Sequence, residues 1–200
     1  MIGRYPKEFK SAKIIALPKG KKGEYRPISL LPSVSKLLEY MMQMRIREIV
    51  ESQLPEHQFG CRPGHSTTQA LMRLAHHAGV SAGTNNQFGA VFYDFTKAYD
   101  RVPRHIIIKK LTQLQVPAYL TLMVYDWPRK RKFQVAHRGH LSETREHQNG
   151  IPQGSSLSVL LWLVFVHDMP LKPECSNINV DDTVGWAIAK QNKSHKYSNS

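Results

Sequence analysis

The chain has 200 residues, enough for one domain or one and part of another, and it is 41% hydrophobic and 22% charged, as in ordinary globular proteins. Twenty-eight Lys and Arg against fifteen Asp and Glu give a formal charge of +13, which points to a polyanionic partner, with a solvated basic surface as the plain alternative. Two cysteines, Cys61 and Cys175, exclude a disulfide framework and a Cys-rich zinc module, and no apolar run approaches the roughly 18 residues of a membrane span.

No signal-peptide apolar core occurs at the N-terminus. Residues Ile14–Leu17 read as a strand stopped by Pro18, Lys19–Gly23 as a basic turn, and Tyr25–Leu30 as the return strand. Such a cationic hairpin tip suits a lid over phosphates or, equally, a plain exposed loop. An amphipathic helix is expected from about Val34 to Val50, with Val34, Leu37, Leu38, Met41, Met42, Ile49 and Val50 on its core face. Gln58–His65 is a turn-rich loop, and Ser66-Thr67-Thr68-Gln69 has the form of a capping box before a second helix. The adjacent His76 and His77 point to different sides of that helix, so they read as core or surface residues rather than as a metal pair.

Ala90-Val91-Phe92-Tyr93 is a short apolar run suited to a buried strand, and it ends abruptly in Asp94. A carboxylate there is costly unless something cationic answers it. Far downstream a second apolar scrap, Ile178-Asn179-Val180, ends in Asp181 and Asp182, and the segment through Ile188 reads as a hairpin with these acids at its tip. Three carboxylates on two strand ends are what a two-metal phosphoryl-transfer site requires, although strand-end aspartates also occur in ordinary turns. Between them lie two expected helices, one starting at Pro103 and one over Tyr119–Tyr125, and then the basic run Arg129-Lys130-Arg131-Lys132 before a strand at Phe133–Val135. The run suits contact with a nucleic-acid backbone or a solvated surface. Gly150-Ile151-Pro152-Gln153-Gly154-Ser155 is a tight turn opening an apolar helix through about Val166.

Taken in order, these blocks resemble the reverse transcriptases of non-LTR (LINE-like, jockey-type) retrotransposons. The resemblance runs from about Lys10 to Ile188 and rests on Tyr25-Arg26-Pro27-Ile28-Ser29-Leu30-Leu31, Gln58-Phe59-Gly60 with Arg62–Thr67, Asp94 with Lys97–Val102, Gly150–Ser155, and Asp181-Asp182-Thr183. It implies an α+β, right-hand polymerase fold of fingers and palm, with an antiparallel palm sheet flanked by helices. Residues 1–88 would be mainly fingers, 89–189 palm, and 190–200 a polar, disordered tail.

The resemblance further implies an RNA-directed DNA polymerase in which Asp94, Asp181 and Asp182 hold two Mg2+ (or Mn2+) ions. Tyr99 would lie under the nucleotide sugar, Gln153 and Gly154 beside the incoming nucleotide, and Arg26 and Lys19 on the triphosphate. Asp100 reads as structural. The implied partners are an RNA template, a DNA primer and deoxynucleoside triphosphates, with no membrane and a nuclear site of action. The chain departs from the family pattern at the polar stretch Cys175–Val180, where relatives carry a longer apolar strand, and at Ser158-Val159, where Gly-Pro is usual. It also stops soon after the paired acids, so the thumb is expected to be missing. The alternative reading is a degenerate copy that retains only nucleic-acid binding.

Overall fold

A computed structural model describes residues 3–18, 20, 23–84 and 86–190. In chain order the elements are β1 (Ser11–Pro18), β2 (Tyr25–Leu30), α1 (Ser33–Val50), α2 (Thr67–Gly83), β3 (Asn86–Asp94) and α3 (Ala98–Arg101). There follow α4 (Arg104–Gln113), α5 (Ala118–Asp126), β4 (Lys132–His137), β5 (His140–Leu141), β6 (Arg145–Glu146), α6 (Ser156–Val166), β7 (Ser176–Asn179) and β8 (Asp182–Lys190). The class is α+β, as expected. Among the described residues no helix is long and apolar enough to cross a membrane. The tail at 191–200 and Lys19 lie outside the described residues.

The chain packs as two units, Met1–Leu54 with Thr96–Asp168, and Pro55–Phe95 with Met169–Ser200. Each unit is built from two stretches of the chain: β3 pairs along its whole length with β8, so the chain leaves the second unit after Phe95 and re-enters it at Met169. This division by packing cuts across the expected boundary at residue 88, which is a division by role.

In the first unit β1 pairs antiparallel with β2 and parallel with β4, and the short β5 and β6 both pair with β4. Helix α6 is apolar on every side and buries Leu157, Leu160, Leu161, Trp162, Leu163 and Val164; α1 and α4 pack against it. A helix without a polar face is stable only inside a core.

The face α1 turns inward differs from the expected one. Its buried residues are Ser35, Glu39, Met42, Ile46 and Val50, whereas Val34, Leu37 and Met41 are exposed. The reason is a polar centre: Glu39, wholly buried, accepts hydrogen bonds from Tyr5 Oη (3.1 Å), Ser35 Oγ (3.1 Å), Trp127 Nε1 (2.8 Å), Arg131 Nη2 (3.0 Å) and Ser155 Oγ. A buried carboxylate must be answered in this way, and satisfying it outweighs burying the apolar stripe.

In the second unit the sheet order is β3-β8-β7, all antiparallel, with α2 packed on β3 and β7. The expected capping box starts α2: Gln69 N donates to Ser66 Oγ (3.2 Å) and Ser66 N to Gln69 Oε1 (2.8 Å).

Candidate active site

The three acids all belong to the second unit. The β3–β8 ladder runs from Asn86↔Lys190 to Asp94↔Asp182, so its last rung sets one aspartate directly opposite another. Opposed residues of an antiparallel pair share a face with Cβ atoms about 4.5–5.5 Å apart, and like charges there destabilise the pair. Asp181 sits one residue earlier, half-buried in the two-residue turn that joins Asn179 to Asp182. The chain carries 28 Lys and Arg, yet among the described residues no basic side chain pairs with any of the three. Hard carboxylate oxygens that lack a cationic partner fit Mg2+ or Mn2+ by kind. Among the described residues no three acid, His or Cys side chains converge as a metal cluster. Asp94 and Asp182 are exposed and Asp181 half-buried, so water screens their mutual repulsion and the fit lies in donor type and in the Asp94–Asp182 register.

The polar stretch before these acids folds as β7 and keeps register with β8, from Ser176↔Gly185 to Asn179↔Asp182. Ser176, Asn177 and Ile178 are buried, and their polar groups are answered. Asn177 Nδ2 donates to Ala70 O (2.7 Å), Ser176 Oγ donates to Lys172 O (2.7 Å), and Arg73 Nη1 donates to Ser176 O (3.1 Å) and Asn177 Oδ1 (3.2 Å). Arg73 also reaches Pro173 O and lies over the Trp186 ring at 5.5 Å. A cleft of about 390 Å³ runs between α2 and the sheet; Leu71, Leu74, Phe92 and Val184 line it together with Asp94 and Asp182.

Another group of expected site residues belongs to the first unit. Ile151 N donates to Tyr99 O (2.9 Å), and a Cβ on Gly150 would stand 2.4 Å from that same oxygen. Arg104 holds this turn by donating from Nε to Gly150 O (2.8 Å) and from Nη2 to His147 O (3.2 Å). The Tyr99 ring leans on Trp162 at 5.8 Å. Two residues on, Ser29 N of β2 donates to Gln153 O (3.0 Å), and Gly154, at φ +106°, brings its Cα so near that a Cβ would lie 3.0 Å from Ser29 O. Tyr99, Gln153 and Gly154 are thus tied through the Gly150–Ser155 turn to β2, where Arg26 is exposed. The expected triphosphate contact Lys19 lies outside the described residues.

The basic run requires a correction. Arg131 is 1% exposed and pairs with Glu39 at 3.0 Å, with the rings of Trp127 and Tyr5 at 5.3 and 5.8 Å from its guanidinium. It supports the core and cannot touch a nucleic-acid backbone. Arg129, Lys130 and Lys132 remain exposed, with Arg129 stacked on Tyr125 at 4.7 Å.

The chain matches the family model "Reverse transcriptase (RNA-dependent DNA polymerase)" over residues 17–183. The chain belongs to the reverse transcriptase family. Within this family it is 40% identical over 173 residues to a probable RNA-directed DNA polymerase from transposon BS of Drosophila melanogaster, covering 83% of this chain and 19% of that protein. It is 34% identical over 191 residues to the RNA-directed DNA polymerase from mobile element jockey of the same organism, covering 92% of this chain and 21% of that protein. The chain therefore spans about a fifth of the length of these relatives, whose kind is the non-LTR retrotransposon polymerase. Its fold is the fingers-and-palm fold of reverse transcriptases: apo telomerase from Candida tropicalis superposes with a TM-score of 0.63 at 12% identity, over 94% of this chain and 41% of that one. Telomerase from the same yeast, in complex with a TWJ fragment of telomeric RNA, gives a TM-score of 0.59 over 97% of this chain and 37% of that one.

Proposed function

We propose that this chain is the nucleotidyl-transfer part of an RNA-directed DNA polymerase of a non-LTR retrotransposon. The observation that carries the reading is the Asp94↔Asp182 rung at the open end of β3–β8, with Asp181 beside it and no basic partner among the described residues. Residues 1–88 act mainly as fingers and 89–189 as palm. Asp94, Asp181 and Asp182 would hold two divalent ions. Such ions, when bound, lower the pKa of a primer 3′-hydroxyl and stabilise the pyrophosphate that leaves. Tyr99 bounds the sugar of the incoming deoxynucleotide, Gln153 and Gly154 flank it, and Arg26, with Lys19, binds its triphosphate. Arg129, Lys130 and Lys132 bind the backbone of the RNA template and DNA primer.

The test is Mn2+ titration followed by thermal denaturation. At about a hundredfold excess over Kd, a single bound ion stabilises the folded state by about 2.7 kcal/mol. The midpoint is expected to rise in the wild-type chain and to stay put in Asp94→Ala and Asp182→Ala. A flat wild-type midpoint would remove the metal assignment and leave a nucleic-acid-binding relic as the better reading.

A further inference from the structure

The turn between β7 and β8 is held from below by a strap, residues 57–60, that runs beside Ile178. Ile178 N donates to His57 O (2.8 Å) and Phe59 N donates to Ile178 O (2.8 Å), so the strap is a one-rung parallel addition to the sheet edge. The side chain of Gln58, 1% exposed, then turns under the hairpin. Its Oε1 accepts from Gly60 N (2.9 Å) and from Val180 N (3.3 Å). Gly60 presses against the same turn: a Cβ there would stand 2.4 Å from Val180 N and 2.6 Å from Val180 Cγ2.

What the strap holds is a strained element. Val180 adopts φ +63°, the left-handed region, in the first position of a two-residue turn where glycine is the ordinary choice. A β-branched residue there is strained and persists only when its surroundings over-determine it. Asp182 is already fixed by its rung with Asp94, but Asp181 lies in the turn, outside the ladder. Its position depends on the Val180 backbone, and that backbone is gripped by Gln58 and Gly60.

We infer that Gln58, with Gly60 beneath it, is a positioning residue for Asp181. It acts by holding the Val180 peptide in its left-handed conformation and so sets where this acid presents its carboxylate. The inference rests on the reading of Asp181 as a metal ligand. It predicts a dependence that the ladder alone does not: loss of the Oε1 acceptor should weaken metal binding through Asp181 and through nothing else.

The experiment is a double-mutant cycle on the full chain, with free Mn2+ followed by electron paramagnetic resonance. Removing partners that orient a metal ligand typically costs about 10- to 100-fold in affinity. Gln58→Met, which keeps the side-chain length and removes the acceptor, is expected to weaken Mn2+ binding about tenfold. In an Asp181→Asn background the same change should have no further effect, because coupled residues do not add. Val180→Gly should restore most of the affinity lost in Gln58→Met, since glycine adopts the left-handed region without the strain. Additive effects of Gln58→Met and Asp181→Asn, or no rescue by Val180→Gly, would assign Gln58 to general stability and overturn the inference. Mn2+ binding that Asp94→Ala and Asp181→Asn leave intact would instead overturn the metal reading beneath it. Should Gln58→Met not fold, the same change is made in a Val180→Gly background, where the left-handed region carries no strain: Mn2+ affinity equal to that of Val180→Gly alone is expected, and a loss of about tenfold there would overturn the inference.

Discussion

Glu39 and Arg131 meet at 3.0 Å with both side chains 1% exposed. Around them Tyr5, Ser35, Trp127 and Ser155 complete the hydrogen bonding of the carboxylate, so one ion pair ties α1 to the start of β4 and to the N-terminal cap of α6. Removing one partner of a buried pair strands the other. Arg131→Met is therefore expected to lower unfolding stability by about 3–5 kcal/mol, as is Glu39→Leu. Replacing both together should cost clearly less than the sum. Urea denaturation of the two single variants and the double variant checks this, and strict additivity would contradict the pairing.

The same pair separates Arg131 from its neighbours in nucleic-acid binding. Neutralising Arg129, Lys130 and Lys132 to Gln should flatten the dependence of RNA affinity on salt, by roughly 0.7–0.9 in slope for each phosphate that these residues neutralise in the wild-type chain. Filter binding across a salt series measures that slope. An unchanged slope would assign these three residues to plain surface.

A third expectation concerns acid. Burial first, and then the guanidinium of Arg104 at 3.1 Å from Nδ1, hold His147 below the ordinary histidine pKa, with Asp100 pulling the other way. His57 is lowered too, by burial and then by Arg73, against Glu174. The unfolded chain thus binds these protons more readily than the folded one. Their contribution is whole above the unfolded pKa of about 6.5 and is lost as pH falls through the lower folded values. Urea midpoints should drop between about pH 7 and pH 5, and His57→Gln with His147→Gln should flatten that drop. Equal slopes in wild type and variant would place the acid sensitivity elsewhere.

Gly150 is the fourth point. At φ +69°, with a Cβ position only 2.4 Å from Tyr99 O and 2.5 Å from Asp100 O, it admits no side chain without moving α3. Gly150→Ala should cost about 1–3 kcal/mol in stability. It should also weaken deoxynucleotide binding by displacing Tyr99, whereas Gly139→Ala, also at positive φ but with open space around it, should cost stability alone. Equal effects on nucleotide binding would contradict the link.

Much of this architecture was legible in the residues. Pro18 and the glycines after it mark the hairpin, the Ser66–Gln69 box marks the start of α2, and the apolar run of α6 reads directly. Local signals sufficed because each lies within one element. The strand at Ala90–Tyr93 forms as β3, but it is not the buried strand its apolar run suggested: Val91, Phe92 and Tyr93 are exposed, the last two lining the cleft between α2 and the sheet. The inward face of α1 did not read correctly, since Glu39 is buried by Tyr5, Trp127, Arg131 and Ser155, none of them near it in sequence. For the same reason Arg131 looked like its exposed neighbours. Asp94, Asp181 and Asp182 stood out as acids at strand ends, but the rung that opposes Asp94 to Asp182 depends on a pairing between distant segments. Gln58 carried no local signal of its grip on Val180, which arises only when the strap lies beside β7.

The most direct measurement is primer extension on an RNA template with Mn2+ and deoxynucleotides, comparing the wild-type chain with Asp94→Ala. Extension that disappears in Asp94→Ala is the predicted result, because that substitution removes one side of the Asp94↔Asp182 rung. No extension by the wild-type chain, with salt-sensitive RNA binding intact, would contradict a working active site and leave a polymerase fold that only binds nucleic acid.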